Sequence, residues 1–510
     1  QHLMGEVLVD NATLGHFSTN NGALLVKPEM VVYPRNTNDI RKLLRFAWQL
    51  AEKGHALPVT ARGSGQNTTD AALSSGVVIA MDAHLNTVFE YDSKQLLVRL
   101  QPGVTTNALQ NSLRLQGVAV HGLGASSETV GGMLANSNTV QLVDAVEQLE
   151  VVLASGDILQ TKKVSKRELN KIKGQHGFEA DIYRELDGLL DDYADTIDAL
   201  DEADASGYSA IRSIRAKDGS INLAPLFIGS QGTLGVISEM ILRAEYINTE
   251  KTLVVASFSE QIDARDALDG LRGQGFAKVE YYDGALLRRA EQAGKLYDFA
   301  KDCAAVIAIT LDDVSSRSQT RKAKKLEKQL GKLNASVVTG PIDSNESGAA
   351  VLGARIMADH ASDHGIAVAA IDDVYIPLER FEDFSVALQQ LATQLSIETP
   401  LYGQPNEGLW SVRPVISLGS VTGKQLLLQF IDKYAKIVKA HGGYLAGGHG
   451  EGLLQASFIG HDEKTEELYQ KIRAIFDPQN ILNPEAKQSI ELRDLVKRLR
   501  GASVYRAPAS

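Results

Sequence analysis

The sequence predicts an α+β protein with more than one domain. Its 510 residues are too many for one ordinary hydrophobic core. In the first half, short strand-like runs alternate with helical patterns, and near residue 247 the character changes to sheet strands separated by amphipathic helices. We expect domains over residues 24–246 and 247–440 and a C-terminal segment over 441–510.

The first domain is predicted to begin with a strand over 30–33 that Pro34 ends. Asn36 then caps a helix whose apolar residues recur at helical spacing until Gly54. A hairpin is predicted where Ser155–Asp157 supplies the turn. The remaining elements predicted here are strands over 57–61, 76–82 and 95–103, and a helix from 105 to 117.

The second half shows apolar strand-like runs between amphipathic segments. A glycine-rich loop and a turn over 477–484 occupy its C-terminal part. The predicted strands are 253–258, 306–311 and 368–377, and the predicted helices are 262–270, 378–395, 424–441 and 464–476.

Composition excludes several classes of function. The 52 basic and 63 acidic residues give a net charge of −11, which argues against broad nucleic-acid binding. The basic segment Arg321–Lys332 has no aromatic residues for base stacking and is interpreted as a solvated helix face. Cys303 is the only cysteine, which excludes a disulfide framework within the chain and favours a reducing compartment. The sequence contains no run of about 18 consecutive apolar residues, so it predicts no membrane span.

Two glycine-rich segments carry the first functional signal. Arg62-Gly-Ser-Gly65 and Gly124-Ala-Ser-Ser-Glu-Thr-Val-Gly-Gly132 each follow a predicted strand, about 60 residues apart. Glycine lets a backbone turn tightly and present N–H groups to an anion, so two such loops are suited to clamp a pyrophosphate. Neither has the spacing of a Rossmann fingerprint. Alone, either segment also fits an ordinary turn.

A third segment, Phe227-Ile-Gly-Ser-Gln-Gly-Thr-Leu-Gly-Val-Ile-Ser-Glu239, makes the combination specific. The three segments in this order resemble the FAD domain of the vanillyl-alcohol-oxidase superfamily. The segments 442–452 and 477–484 are similar to its branch of FAD-linked D-lactate, D-2-hydroxyglutarate and glycolate dehydrogenases. The resemblance runs from about residue 24 to the end. It implies a PCMH-type FAD-binding domain of two subdomains, a cap domain with an antiparallel sheet that binds the substrate, and a C-terminal segment that returns to the flavin.

The resemblance also implies which residues contact FAD. The first loop would bind the pyrophosphate, the second segment would contact FAD, the third would line the isoalloxazine, and the last residue would close the pocket. In chain order these residues are Arg62, Gly63, Ser64, Gly65, Gln66, Asn67, Gly124, Ser126, Ser127, Thr129, Gly131, Gly132, Ala135, Asn136, Gly232, Thr233, Gly235, Val236, Ile237 and Asn483.

Two positions bear on how FAD is held. Some relatives attach the flavin to a histidine of the first loop, but Gln66 and Asn67 stand there, so we expect non-covalent FAD. His121 precedes the second segment and is interpreted as a packed histidine at the end of a strand rather than a flavin contact.

The chain departs from the family pattern at a metal site. Dehydrogenases of this branch bind a divalent metal with two histidines and a glutamate, and Gln404, Ser411 and Gly448 stand at these positions. An amide, a hydroxyl and a glycine cannot form an imidazole–carboxylate site, so we expect no catalytic metal. Glu407 and Glu451 lie nearby in the sequence and are interpreted as exposed loop residues rather than as replacements.

Three residues are candidates for catalysis. His449 stands at the position of the family's proposed general base, where a neutral imidazole would accept the alcohol proton as hydride leaves. Arg355 and Arg413 lie in cap segments and are suited either to a substrate carboxylate or to an ordinary ion pair.

The predicted cap carries two further signals about the substrate. Its aromatic residues Tyr375, Tyr402 and Trp410 either line a pocket or pack. Acids in the strand 371–377, where hydroxy-acid relatives often place a lysine, weaken the case for a dicarboxylate substrate.

The resemblance implies oxidation of a C–OH group by hydride transfer to FAD, and the three replaced ligands lead us to expect that it needs no metal. One alternative is a D-2-hydroxy-acid dehydrogenase in which Arg355 and Arg413 bind the carboxylate. Another is a degenerate FAD-binding electron-relay or interaction subunit. The expected partners are a small-molecule substrate and an electron acceptor (quinone, carrier or oxygen), with no nucleic acid. The expected location is cytoplasmic, and peripheral membrane contact and a homodimer stay open.

Overall fold

The structure is a computed structural model that describes residues 2–124, 126–137, 139–248, 250–292, 302–341, 366–371 and 373–501. The chain forms two compact units. The first consists of Gln1–Ile247 and Gly448–Arg498, and the second of Asn248–Gly447 and Leu499–Ser510.

The N-terminal part of the first unit alternates strands with helices, as predicted. Asn36 caps the predicted helix through its side chain, which accepts a hydrogen bond from the Asp39 N–H at 3.1 Å. The strands are β1 (Glu6–Leu8), β2 (Met30–Tyr33), β3 (Val59–Arg62), β4 (Val77–Ala80), β5 (Val88–Asp92), β6 (Leu97–Leu100), β7 (Val118–Ala119), β8 (Val146–Val152), β9 (Ile158–Gln160), β10 (Val236–Arg243) and β11 (Glu245–Tyr246). The helices are α1 (Asn11–Phe17), α2 (Thr37–Ala51), α3 (Thr106–Arg114), α4 (Val130–Asn136), α5 (Val140–Ala145), α6 (Lys166–Lys173), α7 (Phe178–Asp192), α8 (Ala194–Asp198) and α9 (Ala224–Phe227), with a 3-10 turn at Ser209–Ser213.

Two main sheets divide this unit into subdomains. The first has the order β1-β2-β4-β3, in which β2, β4 and β3 run parallel and β1 is antiparallel. The second has the order β5-β6-β10-β8-β9 and is antiparallel throughout. Strands β7 and β11 form a small ribbon. Helix α2 packs against residues of both main sheets, so the two subdomains share a hydrophobic core.

The C-terminal part of the first unit contains helices α15 (Glu463–Phe476) and α16 (Leu492–Arg498) and a 3-10 turn at Gln455–Phe458. Between the helices, the Asp477 carboxylate accepts hydrogen bonds from the N–H groups of Ile481 and Leu482, at 3.1 and 2.7 Å. This turn places Leu482 beside Val59, with which it forms a parallel bridge on the free edge of β3. The predicted turn over 477–484 thus joins the C-terminal segment to the first sheet.

The second unit is an α+β domain with an antiparallel sheet, as expected. Its seven-stranded sheet has the order β15-β12-β14-β13-β18-β19-β17, and β16 pairs with β20 separately. The strands are β12 (Thr252–Phe258), β13 (Lys278–Asp283), β14 (Ala305–Leu311), β15 (Ser336–Pro341), β16 (Ile366–Ala367), β17 (Val374–Tyr375), β18 (Leu401–Gln404), β19 (Leu409–Val412) and β20 (Val415–Ile416). The helices are α10 (Gln261–Leu271), α11 (Gly284–Gln292), α12 (Ser316–Gly331), α13 (Phe381–Leu395) and α14 (Val421–Ala440), with a 3-10 turn at Leu378–Arg380.

The prediction of one strand over 368–377 was wrong. Residues 366–367 form β16 and pair with β20, whereas 374–375 form β17 and pair with β19 of the large sheet. The described residues between them are buried but lie in no strand, because the chain crosses from one sheet to the other. Burial alone produced the apolar pattern that suggested a continuous strand.

The register of the seven-stranded sheet assigns its side chains to two faces. Tyr402 lies opposite both Tyr282 and Ser411, so these three share one face, where helix α11 packs on the two tyrosines. Gly403 lies opposite Trp410 and shares the other face with it. There the Trp410 indole is fully buried and stacks on the Phe381 ring of α13, with ring centroids 3.7 Å apart. Trp410 therefore packs in the core.

Close approach at Gly403 gives a test of this arrangement. A Cβ there would lie 2.2 Å from the Trp410 ring, so Gly403→Ala should lower the free energy of unfolding by roughly 1–3 kcal/mol or more. Denaturant titration measures this. The control is Gly188→Ala in helix α7, where a Cβ meets nothing within 4 Å. This substitution should stabilise the protein slightly, because alanine is more favourable than glycine inside a helix. Equal stability of the two variants would contradict the assignment of faces.

Candidate flavin site

The two predicted glycine segments face each other in the first unit. A Cβ at Gly63 would lie 1.9 Å from Oγ1 of Thr129, so the first loop must have glycine at this position. The Gln66 amide also donates to Oγ of Ser127 at 2.5 Å. The two loops thus line one space, as two halves of a pyrophosphate clamp would.

Each loop is fixed by the element beside it. Arg62 ends β3 and is buried, donating to the Phe17 carbonyl at 3.2 Å and lying over the Phe17 ring. Thr129 caps helix α4, and its Oγ1 accepts from the Gly132 N–H at 3.3 Å. A Cβ at Gly131 would lie 2.4 Å from the Pro102 side chain, so glycine is required for this close packing.

A cavity of about 520 Å³ opens between these loops. Its lining is rich in hydroxyl and backbone groups, which suits the phosphates and ribose of a dinucleotide. Burial raises the pKa of Asp82, and the positive charge of Arg62 acts in the opposite direction. The lining residues are Ser64, Asp82, Asn86, Gly103, Val104, Thr105, Ala108, Ser127 and Thr129. Six of them lie outside the two glycine-rich segments and were not predicted as site residues.

A buried amide network joins this region to the third segment. The Gln231 side chain is 5% exposed, and its Nε2 donates to Oδ1 of Asn136 at 2.7 Å and to Oγ1 of Thr69 at 3.1 Å. Its Oε1 accepts from the Gly452 N–H at 2.9 Å. Sequence reasoning missed Gln231, because a glutamine within a glycine motif carries no signal of burial.

Asn483 joins the same network from the C-terminal segment. Its Nδ2 donates to the carbonyls of Ala71 and Gln231, at 2.8 and 2.7 Å, and its Oδ1 accepts from Thr60 at 3.2 Å. Asp70, Gln231 and Asn483 all have positive φ, at 63°, 56° and 42°. Residues hold such strained conformations when their surroundings fix them, and strain of this kind clusters at functional sites.

The rest of the third segment is packed tightly. The Thr233 hydroxyl donates to the Ser230 carbonyl and lies 2.7 Å from the Tyr208 hydroxyl. A Cβ at Gly235 would lie 2.3 Å from the Val151 side chain. Val236 and Ile237 begin strand β10 and are buried. Gly232, with φ of 72°, provides the left-handed turn before them.

His449 lies beside the second FAD segment. Its backbone forms an antiparallel bridge with Ser137, directly after helix α4, and its side chain is half-buried. The next residue, Gly450, donates its N–H to the Asn136 carbonyl at 2.9 Å, and a Cβ there would lie 2.7 Å from the Gln231 amide. The predicted base is therefore held against the residues predicted to contact FAD.

Glu451 corrects one expectation. It is 3% exposed rather than an exposed loop residue, and its carboxylate pairs with the buried Lys487 ammonium at 2.9 Å. It also accepts from the Gly207 N–H at 3.0 Å. Burial acts to raise the pKa of Glu451, but the charge and hydrogen bond of Lys487 outweigh it and hold the pKa below its usual value. The sequence near Glu451 does not indicate this burial, because the lysine that pairs with it is 36 residues away along the chain.

The structure places the other candidates as follows. His121 is exposed, so the interpretation as a packed histidine was wrong. Glu407 is exposed, as expected. Arg413 is half-buried directly after β19 in the second unit, and its N–H donates to the Pro400 carbonyl. Arg355 lies outside the described residues.

Residues of a different chemistry stand at the positions of the family's metal ligands. Gln404 and Ser411 lie on the neighbouring strands β18 and β19 and share one face of the sheet. Neither is an imidazole, and Gly448 has no side chain. Within the described part of the chain, no group of three or more His, Cys, Asp or Glu residues is arranged to hold a metal ion. The absence of a catalytic metal stays a prediction.

These features define a flavin-binding protein, and comparison with known families agrees. Residues 28–162 match the FAD binding domain family, and residues 247–486 match the C-terminal domain of the FAD linked oxidases. The chain belongs to the FAD-linked oxidases, and its cofactor is FAD.

The sequence identity between this chain and individual known proteins is low. A D-2-hydroxyglutarate dehydrogenase of Pseudomonas putida is 22% identical over 94% of this chain and 50% of its own length. Glycolate oxidase subunit GlcD of Bacillus subtilis is 25% identical over 90% of this chain and 88% of its own. The chain thus spans about half the length of the D-2-hydroxyglutarate dehydrogenases it matches. The structure of 4-ethylphenol oxidase from Gulosibacter chungangensis has the same fold, with a TM-score of 0.65, 16% identity and coverage of 96% and 95% of the two chains.

Among the residues that the structure describes, no helix has both the length and the apolar character needed to cross a membrane.

The Gln231 network yields a prediction. Gln231→Leu keeps the approximate shape but leaves buried groups of Asn136 and Gly452 without their partner, so it should cost about 2–4 kcal/mol of unfolding free energy. It should also reduce the FAD content of the purified protein, measured as flavin absorbance per chain. The control is Gln148→Leu, because the Gln148 amide bonds Gln160 in an exposed pair. Full FAD content in Gln231→Leu would show that the network does not shape the site.

Proposed function

We propose that this chain is an FAD-dependent oxidoreductase that oxidises a C–OH group by hydride transfer to non-covalent FAD, without a catalytic metal. The observation that carries the proposal is the position of His449, which is bridged to Ser137 at the end of helix α4, the helix that begins within the second glycine segment. The electron acceptor, whether quinone, carrier or oxygen, is left open.

FAD and the residues of this chain would each perform a separate part of the reaction. When bound, FAD supplies the acceptor for the hydride and its two electrons. The His449 imidazole takes the hydroxyl proton as the substrate C–H bond breaks, so that the product is a carbonyl compound. The bonds of the flanking Gly450 and Gly452 N–H groups hold the loop that carries His449. Gln66 and Asn67 offer amides where some relatives have a tethering histidine, which supports non-covalent binding.

The second candidate is a D-2-hydroxy-acid dehydrogenase in which Arg413 and Arg355 bind the carboxylate. The printed names of the relatives favour it, since they include D-2-hydroxyglutarate and D-lactate dehydrogenases. A third candidate, an FAD-binding relay or interaction subunit without its own substrate, is separated from both by the experiment below.

The experiment is anaerobic flavin reduction. The purified holoprotein is mixed with D-2-hydroxy acids, sugars, polyols and simple alcohols, and bleaching of the flavin band is followed. We expect at least one C–OH compound to bleach it. Bleaching by D-2-hydroxy acids would favour the second candidate, the D-2-hydroxy-acid dehydrogenase, over the first. No bleaching by any compound, with FAD bound, would contradict oxidation of a C–OH group and favour the relay subunit.

His449→Ala should lower the rate of flavin reduction by about 10²–10⁴-fold, because the hydroxyl proton loses its acceptor. The FAD content should stay normal, since the backbone of residue 449 makes the bridge to Ser137. Added imidazole should restore part of the rate. His176→Ala, at an exposed position, is the control. A full reduction rate in His449→Ala would remove the base assignment.

A further inference from the structure

Asp82 follows strand β4 at the same edge of the first sheet that carries the first glycine loop. Strands β3 and β4 run parallel with Arg62 opposite Ala80, so the chain leaves both strands side by side. In open sheets of parallel strands, ligands bind in the crevice outside the carboxyl ends of the strands. Asp82 is two residues beyond Ala80, Ser64 is two residues beyond Arg62, and both line the cavity of the flavin site. An acid therefore stands in the wall of the cavity that the glycine loops form.

The loop after β4 is fixed by its neighbours in the first unit. The Met81 N–H donates to the Arg62 carbonyl at 2.8 Å, and the Gly103 N–H donates to the Leu85 carbonyl at 2.7 Å. A Cβ at Gly103 would lie 2.8 Å from Cα of Asp82, so glycine is required for this close approach. The protein itself thus holds Asp82 in position at the cavity.

The Asp82 carboxylate has no partner of its own. It is half-buried, and within the described part of the chain it makes no hydrogen bond or ion pair with another residue. Burial raises the pKa of Asp82 more than the nearby positive charge of Arg62 lowers it. A partly desolvated acid without a partner is a cost to the folded protein, and a ligand that supplies hydrogen-bond donors removes that cost.

The chemistry of FAD limits which of its groups fits this acid. The pyrophosphate is an anion without donors, so the Asp82 carboxylate would repel it. The ribose of the adenosine presents two adjacent hydroxyl donors, which match the two acceptor oxygens of a carboxylate. Acids bind ribose hydroxyls in this way in other dinucleotide sites. The cavity wall also includes Val104 and Ala108, whose apolar side chains suit an adenine ring.

We propose that the Asp82 carboxylate accepts hydrogen bonds from the ribose hydroxyl groups of the adenosine half of FAD and so helps the protein to select FAD over FMN. Ser64 and Ser127, from the two glycine loops that line the same cavity, lie on the side of the pyrophosphate. This role concerns cofactor binding alone, so it is tested independently of the oxidation proposed above.

The first test is the cofactor affinity of the full-length Asp82→Ala variant after its FAD has been removed. Calorimetric titration gives the Kd for FAD, ADP and FMN. Loss of a charged acceptor should raise the Kd for FAD and for ADP about tenfold, whereas the Kd for FMN, which lacks the adenosine, should change less than about twofold. If the carboxylate faced the pyrophosphate, its removal would instead tighten the binding of FAD and ADP. Tighter binding, unchanged binding or an equal loss for FMN would overturn the proposal.

The second test removes the donors from the ligand instead of the acceptor from the protein. The wild-type chain without FAD should bind 2′,3′-dideoxy-ADP about tenfold more weakly than ADP, and Asp82→Ala should bind the two within about twofold of each other. Equal binding of the two ligands by the wild type would overturn the assignment to the ribose, whatever the variant does. A variant that still discriminates between them as the wild type does would overturn it as well.

Asp198→Ala is the matched control. Asp198 is an exposed acid at the end of helix α8 in the same unit, so its loss changes the net charge equally at a distance from the cavity lining. It should leave every Kd unchanged, and equal effects of the two variants would contradict a specific role of Asp82. The Tm of flavin-free Asp82→Ala should not fall, because the carboxylate bonds no other described residue. A lower Tm would show that the acid serves the fold and would overturn the proposal.

Discussion

The first unit depends on one buried side chain, the Gln231 amide. It bonds Thr69, Asn136 and Gly452, which are separated from it by 162, 95 and 221 residues in the sequence. A buried amide without its partners is costly, so these segments are stable only together. The first glycine loop, the helix of the second segment and the His449 loop therefore hold one another in position. Gln231 adopts a positive φ, an unfavourable backbone conformation that directs its amide into this space.

Glycines make this convergence sterically possible. At Gly63 a Cβ would meet the Thr129 hydroxyl, and at Gly452 it would lie 1.7 Å from the Thr69 carbonyl. Such positions can be predicted from sequence because only one residue type fits them. Gly452 also has φ of 59°, which L side chains rarely adopt. The motif resemblance consequently predicted the cofactor, the fold and the facing loops.

The features that sequence reasoning missed depend on partners far along the chain. Glu451 resembles any loop glutamate until Lys487 and Gly207 are seen around its carboxylate. Val104 and Ala108 line the cavity but have ordinary side chains that carry no motif. Their place in the cavity wall follows from the path of the backbone, which the local sequence does not reveal. The strand predicted over 368–377 failed for the opposite reason, since local apolarity reports burial without saying which sheet a residue joins.

The substitutions at the metal positions can be read in the same physical terms. Ser411 shares the face of the seven-stranded sheet that carries Tyr282 and Tyr402, and its hydroxyl is buried without a hydrogen-bond partner among the described residues. Ser257 on the same face is buried in the same state, so this sheet tolerates an unpaired hydroxyl. The opposite face packs aromatic rings, with Trp410 stacked on Phe381. The prediction of a site without a metal therefore rests on the chemistry of Gln404, Ser411 and Gly448, because an amide, a hydroxyl and a glycine offer none of the imidazole or carboxylate ligands that zinc prefers.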